Sequence, residues 1–342
     1  MANSGASKVE DFIIDKEART DVENILLLRT TVQQRQPSDT QSQICDIVSS
    51  HTPAYYLIIQ EKKKTMPSDQ SLDILILGAG WTSTFLIPLL QSQNTTTFAA
   101  TTRDGRTVSN CKTIKWSFDP SQENNYSPLP PAKNILITFP LTSAKSLVAG
   151  YTTHHKISQP SILFIQLGST GIYQPPSPSS SHWTTRSSPY SKDNARAIAE
   201  DELLSLNHTV LNLSGLWGGE RDPKTWVPRV AKTKEQVKAK KSLHLIHGVD
   251  VARGVLAVTR NWKAARGERW MLTDGLVYDW WELFLGWAET GEGVSEQAKW
   301  VEELMWEEGV RALPRSMETL GRCYDSREFW RTFGLVPLKA RI

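Results

Sequence analysis

Three cysteines in 342 residues leave little scope for covalent or metal-based architecture. Cys45, Cys111 and Cys323 lie far apart and form no Cys-x-x-Cys pair, which argues against a disulfide framework and a cysteine zinc site and suits a reducing compartment. Long apolar runs are lacking too. No stretch approaches the ~20 residues that span a bilayer, and the first residues have no charged-then-apolar signal pattern. Nor does one charge dominate: 39 Lys and Arg against 36 Asp and Glu leave +3. That balance does not point to nucleic acid, and no basic helix or finger spacing does so either. The expectation is a cytoplasmic protein with no membrane or nucleic-acid partner, its sequons at Asn94, Asn125, Asn207 and Asn212 unglycosylated. Its expected partner is a small-molecule substrate whose identity the residues do not specify, and they leave the oligomeric state open.

What is present is concentrated at residues 72–80, Leu-Asp-Ile-Leu-Ile-Leu-Gly-Ala-Gly. A short, nearly all-apolar run reads as a central parallel strand covered on both faces. Gly78 permits a tight turn and Gly80 lets a pyrophosphate approach the backbone. The helix that follows, entered through Trp81 and Thr82, offers free N–H groups and the positive end of its dipole. Ser83 takes the third glycine's place in the Gly-x-Gly-x-x-Gly fingerprint, so the match is incomplete. A second strand-like run, 97–102, closes a βαβ unit of about thirty residues. It leads into Arg103-Asp104-Gly105-Arg106. An NAD site usually places an acid there for the ribose 2′-OH. Arg103 instead matches a 2′-phosphate in shape and charge, and Asp104, one position late, reads as a turn residue. NADP(H) is therefore favoured over NAD(H), held by Gly78, Gly80, Trp81, Thr82 and Arg103.

From residue 72 onward strand candidates (74–77, 97–102, 113–116, 134–139, 161–167, 209–213) alternate with helical patterns (82–91, 143–154, 193–206). This predicts an α/β fold, a Rossmann-type doubly wound parallel sheet over residues 67–260. A smaller C-terminal substrate lobe over residues 215–335 interleaves with its end. Residues 1–66 are rich in Ser, Thr, Gln, Lys and Asp and read as a poorly ordered extension. Within them 12–28 suits a helix and 54–59 a strand, neither with an obvious partner. The Pro- and Ser-rich run 175–181 reads as a loop at the rim of the site.

Further along come Gln166-Leu-Gly-Ser169-Thr-Gly-Ile-Tyr173, Leu213-Ser-Gly-Leu-Trp-Gly-Gly-Glu-Arg-Asp-Pro223 and His247-Gly-Val-Asp250-Val-Ala-Arg253. With the first glycine turn, their order and spacing resemble the extended short-chain dehydrogenase/reductase (NAD-dependent epimerase/dehydratase) superfamily over about residues 72–335. The tail from Gly321 to Leu335 looks most like an atypical, YeeZ-like branch found in bacteria and fungi. The resemblance implies a reductase, epimerase or dehydratase acting on a small carbonyl or hydroxyl compound. Family chemistry uses a Ser or Thr, a Tyr that exchanges a proton with the substrate oxygen, and a Lys that lowers its pKa and holds the nicotinamide ribose. Ser169 falls on the first position. No tyrosine in the chain is followed by lysine at the fourth place. Matching Glu200 to the helix's usual acid puts Arg196 at the lysine position and Lys192 at the tyrosine position. Arg196 retains donors for the ribose but is a poor general acid. Tyr190 is a candidate acid only if the helix starts differently. Two readings stay open: an atypical NAD(P)-dependent enzyme using Ser169, Arg196 and Tyr190, or a catalytically impaired cofactor-binding sensor or regulatory protein.

The remaining candidates read as structural. His244 and His247, if on one strand, face opposite sides and cannot chelate together, so no metal is expected. Asp250 reads as a helix cap. Ten of the thirteen tryptophans fall between Trp217 and Trp330, and Trp280, Trp281 and Trp287 read as packing of the second lobe.

Overall fold

Leu72–Leu77 (β1) sends Ile74 and Ile76 to one face and Leu75 and Leu77 to the other, as the two-residue period of a strand requires. Both sets are buried, so β1 needs a layer on each side. In the computed structural model, which describes residues 71–174, 183–291 and 293–342, those layers are helices. Ser83–Gln93 (α1) and Gly248–Arg260 pack Leu86, Ile87, Leu90, Val251 and Val255 on the Ile74 face. Ala144–His155 (α2) and Ala195–Ser205 (α3) cover the other with Leu147, Val148, Tyr151 and Leu203; Gly248–Arg260 is α4 hereafter. All described residues belong to the unit Asp69–Ile342. The expected extension at 1–66, with its helix and strand candidates, and the loop at 175–181 lie outside them.

Beside β1 stand Phe98–Thr102 (β2), Ile114–Lys115 (β3), Ala132–Ile137 (β4), Leu163–Ser169 (β5), Thr209–Leu213 (β6) and Arg269–Leu272 (β7). All pair in parallel, in the order β7-β6-β5-β4-β1-β2-β3. This is the doubly wound Rossmann-type sheet. The order reverses between β1 and β4, and the crevice above that switch point is where such sheets bind ligands.

One strand corrects the sequence reading. β7 lies beyond residue 260, where the cofactor-binding half was expected to end, and no strand was expected there. Its four residues begin with a charge and show no alternation. The Arg269 guanidinium is nevertheless buried, because Asp201 at 2.9 Å and Glu200 at 3.3 Å on α3 neutralise it.

A second cluster forms the smaller lobe. Trp280, Trp281, Phe284, Val301 and Leu304 are buried together, with Trp217, Trp226, Trp287 and Trp300 packed against them. The Trp281 indole N–H donates to the Val237 carbonyl at 2.8 Å, as a buried indole requires. Trp280 and Trp281 are core, and Trp287 is half-buried against them. No helix among the described residues is long and apolar enough to cross a membrane.

Candidate functional site

At the end of β1 the chain turns through Gly78 with φ +86°. A Cβ there would lie 2.9 Å from Phe139 Cδ1, so glycine is required twice over, by conformation and by space. The turn is fastened to both neighbouring strands. Gly78 N–H donates to Thr101 Oγ1 at 3.0 Å and Ala79 N–H to the Thr101 carbonyl at 2.6 Å. On the other side the Thr138 hydroxyl donates to the Gly78 carbonyl. Gly80 faces open space, since a Cβ would meet only the Gly78 carbonyl at 3.9 Å. The N–H groups of Gly80, Trp81 and Thr82 have no protein acceptor among the described residues, and no side chain caps α1. They are the orphan donors of a helix start, at the positive end of its dipole. Ser83, in the third glycine's place, is fully buried, and its hydroxyl has no partner among the described residues.

A cavity of about 580 Å³ opens over this turn, within the usual range for ligand pockets. Residues 78–82 form one wall. Thr101, Thr102, Arg103 and Arg106 follow from β2, residues 116–118 from the end of β3, residues 138–140 from the end of β4, and Leu216 and Arg221 from the far side. The lining contains three arginines and no carboxylate. Arg103 is exposed and has no acidic partner among the described residues. Arg106 is paired with Asp104 at 3.1 Å. The Thr102 hydroxyl and Arg106 hold the Asp104 carboxyl down at about 2. Asp104 itself stays out of the lining and accepts the Arg106 N–H as a turn residue does. Free N–H groups, an open glycine and a free guanidinium past β2 form a donor set suited to phosphate groups.

Of the six residues the sequence assigns to the cofactor, Gly78, Gly80, Trp81, Thr82 and Arg103 line this cavity and Arg196 does not. The sequence reading missed residues 116–118, residues 138–140, Leu216 and Arg221. The Thr-Phe-Pro run at 138–140 follows the strand that pairs with β1 across the switch point, a signal that strand order would have supplied.

Ser169, Arg196 and Tyr190 do not line the cavity. Ser169 closes β5, and its hydroxyl accepts the Gly171 N–H at 3.1 Å. Arg196 lies in the first turn of α3, behind Asn194, whose side chain caps the helix at 3.0 Å. Its charge bears on Glu200, whose pKa burial raises while the Asn212 amide and Arg269 oppose the shift. Tyr190 precedes α3 in an isolated bridge with Tyr173, so the helix does not carry it. Its hydroxyl donates to Asp201 at 2.7 Å and accepts from Lys192, and Arg269 lies 4.3 Å over its ring. Tyr190 thus ties the segment before α3 to the sheet edge.

His244 and His247 are engaged separately. His244 is buried and accepts the Tyr324 N–H at 3.0 Å, while His247 accepts the Val249 N–H at 3.1 Å and so caps α4. The cap expected of Asp250 therefore belongs to His247. Asp250 is fully buried and accepts the N–H groups of Leu338 and Lys339, at 3.0 and 2.9 Å, and the Arg253 guanidinium at 2.7 Å. It fastens the C-terminal segment to α4.

No protein-family model and no curated protein matches the chain. Solved structures share its fold. A dTDP-glucose 4,6-dehydratase from Bacillus anthracis, solved with NAD, is 14% identical over 79% of this chain and 93% of its own, with a TM-score of 0.53. A functionally unknown conserved protein from Silicibacter pomeroyi is 15% identical over 79% and 95%, at 0.51. A reductase engineered for asymmetric catalysis is 14% identical over 79% and 96%, at 0.52. At such identities the likeness is one of fold.

Proposed function

We propose that the protein binds NADP(H) over the 78–82 turn, as an atypical, YeeZ-like extended short-chain reductase, epimerase or dehydratase of the cytoplasm acting on a small carbonyl or hydroxyl compound. One observation carries this reading: the glycine turn opens on a cavity with three arginines and no carboxylate. An NAD site needs an acceptor for two ribose hydroxyls, whereas Arg103 at that position answers a 2′-phosphate. In this reading the N–H groups of Gly80, Trp81 and Thr82 hold the diphosphate. The substrate end lies outside this cavity, where the Ser169 hydroxyl at the end of β5 holds the substrate oxygen and Arg196 has to swing from the first turn of α3 to reach the ribose. When bound, the nicotinamide supplies or accepts the hydride.

Calorimetric titration tests the cofactor. Arg103→Ala is expected to weaken NADP(H) by about 1–3 kcal/mol and to leave NAD(H) nearly unchanged. Equal losses, or none, would remove Arg103 from the 2′-phosphate. A second reading is a cofactor-binding sensor without turnover, favoured by the Tyr190 hydroxyl's engagement with Asp201. A panel of carbonyl compounds with NADPH separates the two. The enzyme reading expects wild-type turnover, with Ser169→Ala slowing it ~10²-fold at unchanged cofactor affinity. Absence of turnover with intact NADPH binding supports the sensor.

A further inference from the structure

The far wall of the cavity carries a cation that lies outside the glycine fingerprint. Gly218 and Arg221 exchange backbone hydrogen bonds, at 2.8 and 3.1 Å, around a turn with Gly218 at φ +105° and Gly219 at φ +57°. The turn is seated on His247, because a Cβ at Gly218 would fall 2.2 Å from His247 Nε2. His247 is itself fixed by the Val249 N–H and by ring contacts with Trp217 at 4.6 Å and Phe85 at 5.3 Å. Trp81, the residue after Gly80, donates its indole N–H to the Gly218 carbonyl at 3.1 Å. The Arg221 guanidinium lies 4.4 Å over the Trp81 ring.

Arg221 is therefore held at both ends, its backbone by the turn and its guanidinium by the indole. Its side chain is exposed, and no carboxylate lies within ion-pair reach among the described residues. A guanidinium stacked on an aromatic face keeps its N–H edge free, and much of its rotamer freedom is removed before an anion arrives. Position decides which anion. Arg103 stands past β2, on the ribose side. Arg221 stands on the residue that follows Gly80, beside the free N–H groups at 80–82.

We infer that Arg221 is a second-segment ligand of the cofactor diphosphate, with Trp81 as the platform that positions it. The inference rests on the dinucleotide reading and adds to it a charge that NADP(H) and NAD(H) meet alike. Titration of the full chain with NADPH, NADH and 2′-AMP tests it, since 2′-AMP carries the 2′-phosphate without a diphosphate. Arg221→Met is expected to weaken NADPH and NADH by the same factor, about 10- to 100-fold, the range of a charge-assisted contact. Binding of 2′-AMP should stay within about twofold, as a contact that Arg221 does not make. Arg103→Ala should weaken only NADPH and 2′-AMP. Arg221→Lys, which keeps the charge without the planar fork, should recover part of the loss. A loss confined to NADPH and 2′-AMP would move Arg221 to the 2′-phosphate and overturn the inference, as would affinities equal to wild type. If the wild type binds neither dinucleotide, the NADP(H) reading falls and this one falls with it.

Discussion

Between pH 7 and pH 4.5, His208 and His244 are each expected to withdraw about 2–3 kcal/mol from the stability of the fold. Both are buried. Burial, helped by the nearby Arg266, lowers His208 from 6.5 to about 4. Burial, helped by Arg322, lowers His244 to about 3. The folded pKa lies below the unfolded value in each case, so the unfolded chain takes the proton first as pH falls. Stability is complete above pH 6.5 and declines from there at about 1.4 kcal/mol per pH unit per histidine until the folded pKa is reached. Asp274 acts in the opposite direction. Burial raises it from 3.8 to about 6 against the Tyr278 hydroxyl bond, so the folded chain takes that proton first. It returns about 2 kcal/mol between pH 6 and pH 4.5, and Glu200, also raised by burial, works in the same sense. Urea unfolding across this range should show His244→Gln, which can still accept the Tyr324 N–H, with a flatter decline. Asp274→Asn should be steeper. Parallel curves for wild type and His244→Gln would show that His244 is not the titrating group.

Asp250→Ala is expected to lower the unfolding free energy by about 3–5 kcal/mol, the range for removing one partner of a buried charge pair. Three donors converge on this carboxylate. Arg253 donates at 2.7 Å and also reaches the Val336 carbonyl at 2.8 Å, while the backbone N–H groups of Leu338 and Lys339 complete the set. Removing the carboxylate takes the acceptor from two backbone donors and leaves the largely buried Arg253 guanidinium with the Val336 carbonyl but no counter-charge. Asp250→Asn, which keeps one accepting oxygen, should lose less. The coupling is checked by deleting residues 337–342 with and without Asp250→Ala. If Asp250 acts by holding this segment, the combined loss falls well short of the sum of the single losses. Additive losses would assign its contribution elsewhere.

How much of this was legible beforehand follows from the range of the forces involved. β1 and the 78–82 turn are written locally, in an apolar run that needs cover on both faces and a glycine that must adopt a positive φ. The alternation of strands and helices and the arginine past β2 are local in the same sense, so the fold class and one half of the cavity could be read from residues close together in sequence. β7 could not. Its leading arginine becomes tolerable only when α3 brings Asp201 and Glu200 to it. Arg221 belongs to the 213–223 segment, but only the stacking on Trp81 across the fold makes it a wall of the cavity. Asp250 looked like a cap because its own helix was the only partner in view, and its real donors lie at the far end of the chain. Backbone conformation and burial period are set by neighbours a few residues away, so sequence determines them. The partner of a charged or hydrogen-bonding side chain is whichever group folding delivers to it, and only the tertiary structure decides that.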